Sequence, residues 1–358
     1  MVMIGEGRVT YQVETLDGAE ALKRAGLKPV VLSSKEGLIL LSGTTSVTAF
    51  ASLAIYDAQT LSLTADIAGS FMLEVLKGTL MAMDERLMAV RPHPDQINTA
   101  ANIRAILKDS PMLERYRGHR VQDALSIRCM PQLHGPVKKA VKDAQATLAI
   151  ELNSSVDNPL IFDEEDGGAV ALMGCNADGT YAGMASDNLC IAITDLCKMS
   201  NSRIDRLLNS LVSELPAFLN KNADFNNGLM MIQYASAGLQ GELRILAHPA
   251  VVDNLTTCAN QEDYVNMGCN AAKKAYDSMH LAKYILAAEL ICDGQALDCY
   301  DDKRCAKGTQ AIYDLLRSKV PEMDNDMPLT PYLEAVAQQI IDRAYIRTVE
   351  ASVGALKF

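Results

Sequence analysis

The chain has 358 residues, 49% of them apolar and 22% charged, with a net charge of −11 and a pI near 5.0. That composition supports a sizeable folded core rather than disorder, and the acidic balance repels phosphate backbones, which speaks against nucleic acid as a partner. No run approaches the ~18 apolar residues of a membrane span, and Met1–Thr10 has neither a basic start nor an apolar stretch of signal-peptide length, so a cytoplasmic protein without membrane association is expected.

Along the chain, Arg8 to Glu14 alternates weakly, the first hint of a strand. Ser46 to Met88 runs with hardly a breaker and is predicted as helix, followed by a loop at Val90-Arg91-Pro92-His93-Pro94. Pro136 to Leu152 reads as helix. Leu160–Asp163 and Ala169–Leu172 flank the turn Glu164–Gly168 and predict a short hairpin. After a Gly174–Gly183 loop, the stretches Asp187–Leu211, Asn227–Ala247 and Tyr264–Asp293 repeat apolar residues at spacings of three and four. Met323–Pro331, with Pro328 and Pro331, separates a last helix from the body.

Several of these helices are apolar on more than one face, Leu281 to Cys292 most clearly, and such a helix must be buried inside a bundle or at a subunit interface. The simplest architecture is all-α: one long-helix domain spanning residues 1–358, with a minor β-hairpin. Nine cysteines at irregular spacings, with no Cys-x-x-Cys, read as small core residues of a reducing compartment; Cys190 and Cys197 share a helix face. The five histidines are scattered without zinc spacing, so no metal site is expected. A phosphate loop and a nucleophile elbow are both absent from the sequence.

Three polar clusters interrupt the apolar pattern. In Gln122-Asp123-Ala124-Leu125-Ser126-Ile127-Arg128-Cys129, the arginine is either a fork for a substrate carboxylate or one half of an Arg–Asp pair inside the bundle. In Asn260-Gln261-Glu262-Asp263-Tyr264, the carboxylates either complement a helix start or act as acid or base beside a ligand. Glu151-Leu152-Asn153-Ser154-Ser155-Val156-Asp157-Asn158-Pro159 reads as loop and cap chemistry or as part of a site.

Taken in order, these clusters resemble the histidine/phenylalanine ammonia-lyase family. The stretch Glu20–Gly43 ending Leu40-Leu41-Ser42-Gly43-Thr44, then Arg91–Ile97, Gln122–Gln132, Asn153–Pro159, Ser213–Leu219, His248-Pro249-Ala250 and Asn260–Met267 all fit that family's motifs, the last being similar to histidine ammonia-lyases. The resemblance covers essentially the whole chain. It implies a long-helix bundle of the ammonia-lyase (aspartase/fumarase-like) type, assembled as a homotetramer. It also implies a reaction in which a methylidene-imidazolone (MIO), made by cyclisation of an internal Ala-Ser-Gly, turns ammonia into a feasible leaving group while a base removes the β-proton. By the same resemblance Arg128 clamps the substrate carboxylate, Gln122 helps to orient it, Gln261 and Asn153 belong to the substrate-binding set, and Glu262 is the catalytic carboxylate.

Ala-Ser-Gly occurs nowhere in these 358 residues, and Ile4-Gly5-Glu6-Gly7, which follows that tripeptide in the family, stands almost at the first residue. Ser42 stands at a family asparagine, Leu125 at a tyrosine and Ala177 at a substrate-facing phenylalanine. The expected arrangement is therefore the large subunit of a split aromatic amino acid ammonia-lyase or aminomutase. In it this chain holds no cofactor and a separate polypeptide bearing Ala-Ser-Gly supplies MIO. The alternatives are a non-catalytic structural paralogue and an MIO-independent enzyme or binding protein for an amino-acid-like carboxylate. The expected ligand is an amino acid or an arylacrylate. Tyr264 replaces the histidine that follows Gln-Glu-Asp in histidine ammonia-lyases, which disfavours histidine itself.

Overall fold

The structure, a computed structural model, describes residues 1–222 and 225–358. Among them are fifteen α-helices and two two-stranded antiparallel hairpins, so the all-α expectation holds. The chain folds into two compact units, residues 1–45 with 155–178 and residues 46–154 with 179–358.

The smaller unit carries both hairpins. Strands β1 (Arg8–Tyr11) and β2 (Glu14–Asp17) pair with Arg8 opposite Asp17. Their tight turn places Gln12 and Val13 in the left-handed region, at φ 46° and 67°. Such turns usually carry Asn-Gly, so weak alternation was their only signal in the sequence. Strands β3 (Leu160–Asp163) and β4 (Ala169–Leu172) have the predicted bounds, with Leu160 opposite Leu172. Lys35 joins this unit's two segments through an ion pair to Asp157 and a 2.6 Å hydrogen bond to the Pro159 carbonyl. Gly43 is required by geometry. Its φ is 96°, and a Cβ there would meet the Val156 carbonyl oxygen at 2.5 Å.

Six long helices dominate the larger unit: α1 (Thr45–Val75), α2 (Pro94–Ile106), α3 (Met130–Glu151), α4 (Thr180–Leu208), α5 (Met230–Leu246) and α6 (Gly268–Asp298). Helix α4 packs against α6 and α3, α5 lies on both α4 and α6, and α2 lies on α3. The predicted helices exist with shifted ends. The first stops at Val75, not Met88, because Lys77 turns left-handed (φ 58°) and Gly78 donates its N–H back to the Leu73 carbonyl at 2.9 Å. Helix α3 begins at Met130 and carries Pro136 in its interior, where a start was expected. The C-terminal helix is two, Thr330–Ile341 and Ala344–Val353, broken at Arg343 (φ 58°).

Residues Thr60 to Val75 of α1 are buried without exception, and so are Ile285 to Asp298 of α6. A helix buried all round must have its polar groups matched from within the bundle. Hydroxyls do so locally: Ser62, Thr64 and Ser70 donate to the carbonyls four residues back at 2.6–2.9 Å. Charges need neighbours. Asp66 takes hydrogen bonds from His134 Nδ1 (2.8 Å), Lys138 Nζ (2.5 Å) and Asn102 Nδ2 (2.8 Å), all buried. Burial alone would raise the Asp66 carboxyl; Lys138 and His134 outweigh it and hold Asp66 below the usual carboxylate range. Burial pushes His134 down, and its Nε2 has no partner, so the ring is neutral and donates from Nδ1. Glu289 on α6 is held by Arg203 and Ser200 of α4. Of the nine free cysteines, Cys190, Cys197 and Cys292 are buried as expected, while Cys175, Cys258 and Cys269 are exposed.

Asp293, one turn beyond Glu289, is the exception. It is fully buried and neither carboxylate oxygen has a partner. Burial, and then the Glu289 charge, push its carboxyl well above 3.8. The folded state thus keeps a proton that the unfolded state releases, and stability falls as pH rises above that ordinary value toward the folded one. Asp293→Asn removes this dependence. Thermal unfolding of both proteins from pH 5 to 8 should show the variant more stable, by a margin that widens with pH. A constant margin would contradict the protonated assignment.

Candidate active site

The first polar cluster is carried by a short helix, Leu125–Arg128, wedged before α3. Its Ile127 is fully buried in the core, and polar contacts complete the attachment. Asp123, 4% exposed, accepts the Thr79 backbone N–H at 2.8 Å, and the Ser126 carbonyl faces Arg203 Nη1 at 3.4 Å. Burial raises the Asp123 carboxyl. Between these anchors Gln122 is exposed and its side chain finds no partner among the described residues, and Leu125 is exposed as well. Arg128 is half-buried. Its Nε is shielded from solvent and has no acceptor, and no described carboxylate pairs with it. Among the described residues, then, Arg128 is not half of a bundle ion pair. The buried bundle arginine is Arg203.

Glu262 lies in a different kind of element. Helix α6 starts at Gly268, not at Tyr264, so the Asn260–Tyr264 cluster does not complement a helix start. Instead Thr257 and Glu262 close a tight loop as an isolated bridge, with Thr257 N–H donating to the Glu262 carbonyl at 2.8 Å. Cys258, Ala259 and Asn260 inside it are all left-handed, at φ 49°, 50° and 69°. Such conformations in non-glycine residues cost about 1–3 kcal/mol each and persist only where surrounding contacts fix them. Asn254 supplies some of these, accepting from Val265 N–H (2.8 Å) and donating to the Asp263 carbonyl (3.1 Å). The exposed Glu262 carboxylate receives the Thr257 hydroxyl at 2.6 Å. That bond, and then the Cys258 thiol, hold Glu262 below its ordinary value, so it is charged at neutral pH and a weaker base than a free carboxylate. Gln261 is exposed beside it.

Asn153 is exposed at the end of α3, where its amide donates to the Ala149 carbonyl at 2.8 Å. Ser154 does the same to Ile150 at 2.7 Å. In the smaller unit Asn158 accepts the Gly174 N–H at 2.9 Å, Ser42 is exposed, and Ala177 is half-buried. Cap and turn chemistry accounts for what these asparagines touch. No hydrogen bond or ion pair among the described residues links Glu262 to Gln122 or Arg128. A cleft of about 1180 Å³ runs along Lys77, Arg104, Tyr116, His119 and Arg120, but neither Arg128 nor Glu262 lines it, and its cations are already matched by Glu214, Glu85 and Glu114. A second groove of about 870 Å³ is lined by Gln132, whose Oε1 is buried and unpartnered. No group of metal-ligating side chains occurs among the described residues, and no described helix is long and apolar enough to cross a membrane.

A family profile described as aromatic amino acid lyase matches residues 1–318. The chain belongs to that family. It is 42% identical to histidine ammonia-lyase 2 of Fusobacterium nucleatum over 99% of its own length and 69% of the relative's. It is also 42% identical to a histidine ammonia-lyase of Alkaliphilus metalliredigens, over 99% and 70%. Among solved structures, histidine ammonia-lyase from Trypanosoma cruzi superimposes with a TM-score of 0.90 at 33% identity, covering 98% of this chain and 67% of that one. A tyrosine aminomutase from Streptomyces globisporus does so with a TM-score of 0.91 at 29% identity, covering 99% and 71%. The lyase-family chain is thus histidine ammonia-lyase-like in sequence and helical architecture.

The Thr257 hydroxyl gives a direct test of this lyase-family loop. Thr257→Val keeps the side chain's shape and removes the donor. The Glu262 carboxyl should then titrate closer to 4.5, followed by carbon-detected NMR. An unchanged titration would show that the hydroxyl does not set the charge state.

Proposed function

We propose that this chain forms the carboxylate-recognising wall of a histidine ammonia-lyase-like carbon–nitrogen lyase or aminomutase acting on an aromatic amino acid. The observation that carries the reading is Arg128: a half-buried guanidinium, held on a short anchored helix, with a shielded, unpartnered Nε and no carboxylate partner among the described residues. A planar fork left without a counter-charge suits a ligand carboxylate, which it can bind through two parallel hydrogen bonds. Gln122 offers an amide to the same ligand end. Glu262, which the resemblance makes the catalytic carboxylate, is ionised at neutral pH.

The electrophile that the family uses does not fit these residues alone. The 358 residues contain no Ala-Ser-Gly, and Ser42 and Leu125 stand where the resemblance assigns an asparagine and a tyrosine. In this reading the imidazolone comes from residues beyond these 358, on a separate polypeptide associating with this chain. Leu125, 61% exposed, offers a smaller and wholly apolar side chain where the resemblance assigns a tyrosine. The exposed apolar side chains of α4 and α5, among them Tyr181, Met184, Met231 and Tyr234, are suited to association with further chains, as in a homotetramer.

The test is reconstitution. The chain is co-expressed with a polypeptide carrying an Ala-Ser-Gly segment, and ammonia release is measured from L-phenylalanine, L-tyrosine and L-histidine. Turnover is expected from the pair and from neither part alone, with Arg128→Ala lowering kcat/KM by about 10–100-fold, as loss of a charge-assisted hydrogen bond of about 1.5–3 kcal/mol implies. Full activity in the Arg128→Ala pair would sink the carboxylate-clamp reading. Binding of trans-cinnamate without turnover in any pairing would favour a binding protein, the reading that the retained Arg128 supports; neither binding nor turnover would favour the non-catalytic paralogue, to which Ser42, Leu125 and Ala177 lend support.

A further inference from the structure

Glu214 occupies an unexpected position. It ends the short helix Ser210–Ser213 in the left-handed conformation, φ 61° and ψ 23°. Glycine is the usual residue there because it adopts that backbone without a steric penalty. A glutamate retained at such a place is explained by its side chain. Its carboxylate meets three cationic or basic groups from elsewhere in the chain: Lys77 Nζ at 2.8 Å, Arg120 Nη2 at 2.9 Å and His119 Nε2 at 3.0 Å. These partners hold the Glu214 carboxyl down at about 2.

Exposed ion pairs contribute little singly, because water and salt screen them. This cluster differs in that Lys77 and Arg120 are only 11% and 17% exposed, while Glu214 itself is 45% exposed. Lys77 also lies over the rings of Tyr116 and Tyr300, and Arg120 Nη1 donates to the Leu76 carbonyl at 2.7 Å. The position of these groups in the chain gives them their meaning. His119 and Arg120 immediately precede Val121 and Gln122, and Asp123 is tied to Thr79 at 2.8 Å. Gln122 is therefore bracketed by two attachments to the Leu76–Thr79 corner, and the first of them is closed by Glu214.

We infer that Glu214 is a positioning residue: by gathering Lys77, His119 and Arg120 it fixes the segment that presents Gln122 and Arg128 to a ligand carboxylate. The inference rests on the reading of Arg128 given above. Nothing in the sequence marks Glu214 for this role, since the three groups it joins come from two distant stretches.

Glu214→Gly tests it cleanly, because glycine suits the backbone while removing the carboxylate; Glu214→Gln, which keeps the backbone and removes the charge, serves as the second variant. Hydrogen–deuterium exchange of the complete assembly should speed up at the amides of residues 119–125 in both variants, while α4 and α6 keep their protection. In the same assembly trans-cinnamate should bind roughly tenfold more weakly, within the ~100-fold that a 1 Å misplacement of an active-site group can cause, and Glu214→Asp should restore part of the affinity. Unchanged exchange at 119–125, or faster exchange with unaltered trans-cinnamate affinity, overturns the inference. If the unaltered protein does not bind trans-cinnamate, the carboxylate reading fails, and the exchange measurement alone decides whether Glu214 fixes the segment.

Discussion

A carboxylate at the centre of a helix with no exposed side constrains everything packed around it. Asp66 sits within the wholly buried part of α1, and its charge survives only because Asn102 of α2 and both His134 and Lys138 of α3 converge on it. Apolar packing is non-directional and tolerates sliding. Four donors and acceptors at hydrogen-bond distance do not. Removing one partner of such a buried set would leave a charge uncompensated, at about 3–5 kcal/mol, so the set locks the register of three helices. The Arg203–Glu289 pair does the same for α4 and α6, and Glu74, reached by Ser110 and the Ala306 N–H, ties in the start of the helix Lys307–Arg317.

The candidate site depends on that register at one remove. Leu125–Arg128 is held by Ile127, fully buried in the core, and by polar contacts: Asp123, the Ser126 carbonyl facing Arg203, and the Glu214 cluster. Arg203 thus serves two elements, locking α4 to α6 through Glu289 and receiving the helix that carries Arg128. The Thr257–Glu262 loop is held differently, by side chains bonding to backbone across a left-handed turn. Rigid helices with short, polar-anchored segments at their ends suit a site in which groups must be held against solvent until a ligand arrives.

Much of this was legible in the residues. All-round apolar helices imply burial, and α1, α4, α5 and α6 lie where the periodicity placed them; the β3–β4 hairpin has its predicted bounds. What escaped is of one physical kind. Lys77, Glu214, Arg343 and the Cys258–Asn260 turn all adopt left-handed backbone without glycine. Local propensity therefore points the wrong way, and only tertiary contacts choose the conformation. This is why the first helix was expected to run past Val75, why α6 was expected to begin at the Asn260 cluster, and why Glu214 was not singled out within the Ser213–Leu219 motif. Ordered motifs identified the family, yet they could not tell a site residue from a cap. Asn153 bonds back onto the end of α3, whereas Arg128 Nε has no partner among the described residues.

Arg128, whose shielded and unpartnered Nε is shared by Arg206, is thus the feature on which the proposed function turns, in a protein that pairs most of its described buried charges. Its direct measurement is a crystal structure of the chain in its native assembly with trans-cinnamate bound. The expected result is the ligand carboxylate on the Arg128 guanidinium at about 2.7–2.9 Å, with the Gln122 amide turned toward it. A ligand bound elsewhere, with Arg128 engaged by a protein carboxylate, would contradict the assignment.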